Sequence, residues 1–170
     1  MAQAKQRIAN GWHSVGGRIL AEADSSDGQA ELLRQGLAAA RLHTEDAVAK
    51  AEQALKQGDI VAAVDFIRAA GIARNRNGQV GELLRRIKKL GGQQVQVSLE
   101  QGRIDRAQSL LQRLAPLNGE SEEIGELRRA LTQCHQAAEL LAAGQPGAAL
   151  PLLRKVKTMY PSAKWLDKAL

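Results

Sequence analysis

The sequence predicts an all-α protein, an α-solenoid of about three to four antiparallel helix hairpins. Three observations predict it. A leucine, a glycine three residues on and an alanine five further recur three times: Leu55, Gly58 and Ala63; Leu99, Gly102 and Ala107; Leu141, Gly144 and Ala149. The glycines fall 44 and then 42 residues apart, and self-similarity at such a period marks stacked supersecondary units. A second phrase, Asn or Asp followed by Gly and then by Glu, Leu and Arg, precedes each long periodic segment, at Asp27-Gly28, Asn77-Gly78 and Asn118-Gly119. Strand-like alternation is confined to Gln93–Val97, whose flanks are helical in period.

The elements follow in order. Residues 1–26 are expected to form an N-terminal capping helix and turn, with Ile8, Trp12, Val15 and Ile19 on one face. Residues 27–170 form the helical-repeat domain. Its long helices are expected over 29–57, 79–101 and 120–143, each started by an Asn/Asp-Gly break with acidic residues near the N-terminus. The first is expected to break near His43-Thr44 and the second to kink at Gly91-Gly92, a pair read as punctuation. Short helices are expected over 60–73, 104–114 and 146–159, the last with Pro146 in its first turn, where a missing N–H costs little. The third long helix carries a seam of Ile124, Leu127, Leu131, Cys134, Ala138 and Leu141. The short helices carry Ile60, Ala63, Phe66, Ile67 and Ala70; Ile104, Ala107, Leu110, Leu111 and Leu114; and Ala149, Leu152, Leu153 and Val156. The recurring alanine is small because the two helices of a hairpin cross beside it. After Pro161 a new long helix begins and stops at Leu170, which predicts that the chain continues in a longer, bacterial-looking protein.

Composition limits the functions available. Apolar residues are 44% of the chain, mostly Ala and Leu, and aromatics only 2%, which favours a thin, extended core. A single cysteine excludes an internal disulfide framework. No continuous apolar signal region opens the chain, and no stretch approaches the roughly 18 apolar residues of a membrane span. A cytoplasmic location is expected.

The spacing within the hairpins resembles the tetratricopeptide repeat superfamily. In that family a small residue is followed by Ala at five, a bulky apolar residue at nine and Pro at seventeen. The matching positions are Gly58, Ala63 and Ile67; Gly102, Ala107 and Leu111; and Gly144, Ala149, Leu153 and Pro161. The resemblance covers about residues 44–170. The family's first-helix Trp and Tyr do not stand at the corresponding positions, and the period exceeds its usual 34. The resemblance implies a right-handed superhelix whose first helices line a concave, peptide-binding groove.

The candidate site residues come from charge. Residues 68–89 hold Arg68, Arg74, Arg76, Arg85, Arg86, Lys88 and Lys89 against Glu82 alone. Arg85 and Arg129 occupy equivalent repeat positions, with Lys89 and Gln133 one turn beyond each. Such a row implies, by the resemblance, clamps for the carboxylates of an acidic protein or peptide, a task for which the arginine fork is suited. The same charges are consistent with a solvated helix face. An alternative is an anion- or nucleic-acid-binding module through residues 74–89, supported by a pI of about 9.8 but short of aromatics for base stacking. A third is a structural spacer. A Trp165 exposed at an open end would favour self-association. No metal, cofactor or catalytic residue is expected: His13, His43 and His135 lack ligand spacing, Cys134 lies on the apolar seam, and no phosphate-binding glycine loop is present.

Overall fold

Glycines in the left-handed region set the architecture. Gly58, Gly102 and Gly144 have φ of 76°, 74° and 72°, a conformation other residues reach only at a cost. Each ends a helix in the same way. The glycine N–H donates to the carbonyl three residues back, at 3.0, 2.9 and 3.0 Å, and the next N–H reaches five residues back, at 2.9, 2.8 and 2.8 Å. This Schellman arrangement satisfies carbonyls that a helix end leaves orphaned.

The computed structural model describes residues 28–72, 78–117 and 122–169. These fold as α1 (Gly28–Lys56), α2 (Ile60–Ala69), α3 (Gly78–Glu100), α4 (Ile104–Leu114), α5 (Glu122–Ala142), α6 (Pro146–Met159) and a 3-10 helix (Lys164–Lys168), with no strand among the described residues. The all-α class is therefore observed; five of the six helices expected over 29–159 lie within two residues of their expected limits, and α2 ends early. The expected capping helix of residues 1–26, Arg74, Arg76 and Asn118-Gly119 lie outside the described residues.

The chain divides into two compact units, residues 1–84 and 85–170. In the first, α1 packs on α2. The N-cap of α2 is Asp59, whose carboxylate accepts from the Ala62 N–H at 2.9 Å. Its buried stripe is Ile60, Ala63, Val64 and Ile67, at i, i+3, i+4 and i+7. Phe66, expected on that seam, sits at its edge and is 38% exposed. The helix ends at Ala69 rather than 73, because Gly71, φ 68°, turns the chain. The break expected at His43-Thr44 is absent: the Thr44 hydroxyl donates to the Ala40 carbonyl at 2.9 Å, within one continuous helix.

In the second unit, α4 packs on α5 and α5 on α6. The glycine pair at 91–92 is an approach point rather than punctuation. A Cβ at Gly91 would stand 2.7 Å from Leu114 Cδ2, and one at Gly92 3.3 Å from Ile124 Cδ1. The pair thus brings α3 against both α4 and α5 while α3 stays one helix. The α5 core is Ile124, Leu127, Ala130, Leu131, Cys134 and Ala137. Ala138 and Leu141, expected there, are exposed. They approach the tip of the α5–α6 hairpin, where every residue from 141 to 148 is exposed; periodicity gives a residue its face but not a neighbour to cover it. Ala63, Ala107 and Ala149 are all fully buried.

The end of the chain also departs from expectation. The segment after Pro161 is a five-residue 3-10 helix, not the start of a long α-helix. Trp165 Nε1 donates to the Leu99 carbonyl at 2.8 Å, and the ring lies where a Cβ on Gly102 would be 3.1 Å from its Cγ. Lys157 Nζ bridges to Asp167 at 2.8 Å and donates to the Pro161 carbonyl at 2.9 Å. The indole expected at an open end is committed within the unit.

Candidate functional site

The second unit contains an open groove of about 440 Å³, within the size range of pre-formed ligand clefts. Three stretches of chain build it. From α3 come Lys89, Gly92, Gln93, Gln96 and Glu100, spaced by three or four residues and so on one helix face. From α5 come Glu123, Glu126 and Leu127, and from the end of α6 the run Met159–Ser162. Gly92 permits the close approach of α3 and α5 beside it. Leu127 and Tyr160 are buried, Met159 is half-buried, and together they give the groove apolar surface between polar walls.

Polar groups on the walls remain available. Gln96 Nε2 donates to Glu100 Oε1 at 2.9 Å along α3. Burial pushes the Tyr160 phenol up from its ordinary pKa, with the Glu126 and Glu100 carboxylates adding to the rise and Arg129 opposing it. Tyr160 is therefore a neutral hydroxyl at physiological pH, sensed by charges from both α3 and α5.

The residues expected from sequence are only partly brought together. Lys89 lines the groove, while Arg85 and Arg86 are exposed on α3 outside the lining. Arg129 is exposed on α5 and acts on Tyr160 without lining the groove. Gln133 is half-buried, its Oε1 enclosed and without a hydrogen-bond partner among the described residues. Sequence reasoning missed Glu100, Glu126 and Tyr160. The polar spacing Lys89, Gln93, Gln96 and Glu100 was a usable signal for one wall. Nothing local announced that the chain after α6 would complete the site.

Cys134 is buried, and burial pushes its thiol up to about 11, far from the range of a reactive thiolate. No group of His, Cys, Asp and Glu among the described residues is placed to hold a metal ion. No described helix is long and apolar enough to cross a membrane.

No family model, curated protein or solved structure matches the chain.

Proposed function

We propose that this protein is a non-catalytic interaction module of tetratricopeptide-like, right-handed solenoid type, and that it docks a segment of a protein partner in the groove of its second unit. The observation that carries the reading is the groove itself, with apolar surface from Leu127, Met159 and Tyr160 between polar walls on two helices. Peptide-binding clefts combine those features, apolar surface for affinity and a few polar groups for orientation. The threefold recurrence of one glycine turn and one buried alanine supports the repeat reading.

The test is a selection of random dodecapeptides displayed on phage, run on the full chain and on the Gln96→Trp variant, which fills the groove from an exposed helix position. Peptides that bind the wild type with micromolar affinity and lose at least tenfold against the variant are expected. Peptides that bind both equally, or none at all, would overturn the reading.

A further inference from the structure

The charge of the groove is opposite to that of its surroundings. Residues 85–170 carry 14 Lys and Arg against 8 Asp and Glu, whereas residues 1–84 carry 10 of each. Within that basic second unit, the groove sets three carboxylates, Glu100, Glu123 and Glu126, against one ammonium, Lys89. The carboxylates stand on facing walls, Glu100 on α3 and the other two on α5. Glu100 and Glu126 share the lining with Tyr160, and both carboxylates raise its phenol.

These carboxylates are not already spent. Neither Glu123 nor Glu126 forms an ion pair with a described residue. Glu100 accepts only from the neutral amide of Gln96. Lys89 lies 11 residues before Glu100 on the same helix, roughly 16 Å away at the α-helical rise. That is about two Debye lengths at physiological ionic strength, so Lys89 does little to neutralise Glu100. Of the cations nearby, Arg129 is exposed and stands outside the lining, and Lys157 is committed to Asp167 and the Pro161 carbonyl.

Resting on the groove being a docking site, we propose that its occupant is an extended peptide segment that presents an arginine to Glu100, Glu126 and Tyr160. Charge complementarity selects a cation, and the apolar surface selects which one. A guanidinium forms paired hydrogen bonds to a carboxylate, is weakly hydrated and stacks on an aromatic ring, whereas an ammonium is a compact, strongly hydrated charge. The arginine stem lies along the half-buried Met159 while its head stays polar. Gln93 and Gln96 offer amide donors and acceptors to the backbone on either side. The groove thus selects basic segments, while the exposed surface of the same unit repels them and so discourages docking elsewhere.

The experiment is the same display selection, read for composition and repeated on the Glu100→Gln/Glu126→Gln variant. Groove-dependent peptides are expected to be enriched in arginine. They should bind the variant at least tenfold more weakly and lose several-fold when the arginine is replaced by lysine, and more when it is replaced by citrulline. Groove-dependent peptides without arginine enrichment, or indifferent to the double substitution, would overturn this proposal and leave the docking reading standing. A failure of the docking reading itself shows separately, as the absence of any peptide sensitive to Gln96→Trp.

Discussion

Three glycines share one backbone conformation but not one environment. Around Gly58 and Gly144 an added Cβ meets no described residue within 4 Å, whereas at Gly102 it meets the Trp165 ring at 3.1 Å. Gly58→Ala and Gly144→Ala should therefore cost about 1–2 kcal/mol, the penalty for a left-handed L-residue. Gly102→Ala should cost clearly more, because the ring must also shift. Urea unfolding of the three variants checks the order, and equal losses would show that the ring moves freely. Cys134 supplies a second residue-scale expectation. Its thiol is held up at about 11 against an ordinary 9.0, so the folded state favours the neutral form. That contribution is fully present below pH 9 and is lost as pH rises toward 11; a rise of that size corresponds to roughly 3 kcal/mol. The raised Tyr160 phenol acts in the same sense above pH 10. The urea midpoint should stay level below pH 9 and fall above it. Cys134→Ala should flatten the part of the fall between 9 and 11.

At the scale of elements, most boundaries were legible because the signals that set them are local. Gly58, Gly102 and Gly144 stop helices by backbone geometry alone, and Asp59 starts one by its side chain. The misreadings fell where a neighbour decides. Gly91-Gly92 reads as a breaker in isolation and becomes a contact once Leu114 and Ile124 lie against it. The groove was legible on one wall only, because its floor is assembled from residues far apart in sequence. Pro151 stands inside α6 without ending it. It withholds an N–H from the Gly147 carbonyl and crowds it, at a typical cost of about 3 kcal/mol. Pro151 is exposed, so Pro151→Ala should stabilise the protein by about 1–3 kcal/mol, read as a raised midpoint in urea. The buried crossings respond in the other direction: Leu at Ala63, Ala107 or Ala149 should overpack a hairpin and cost about 1–3 kcal/mol.

Over the whole molecule the charge is divided unevenly, with the net +6 of the chain carried by residues 85–170. Self-repulsion of that kind opposes compaction and is screened by salt. Ion pairs that screening would weaken, such as Arg34–Glu31 and Lys50–Asp46, are exposed helix pairs of small worth. Raising the salt from 0.02 to 0.3 M should therefore raise the melting temperature by a few degrees in scanning calorimetry. A fall would mean that attractive pairs outweigh the repulsion.

The bond from Trp165 to the Leu99 carbonyl joins residues 66 apart in sequence. In the first unit, by contrast, α1 meets α2 across the short turn at Gly58. Contacts between near neighbours form early and fast; closing a long loop costs more entropy and comes late. As the chain leaves the ribosome, the α1–α2 hairpin can close while the rest is still being made. The second unit must wait for residue 165 before its last latch shuts. Until then Gly102 is left uncovered and the groove lacks its Met159–Ser162 stretch, so the first hairpin stands complete well before the groove does.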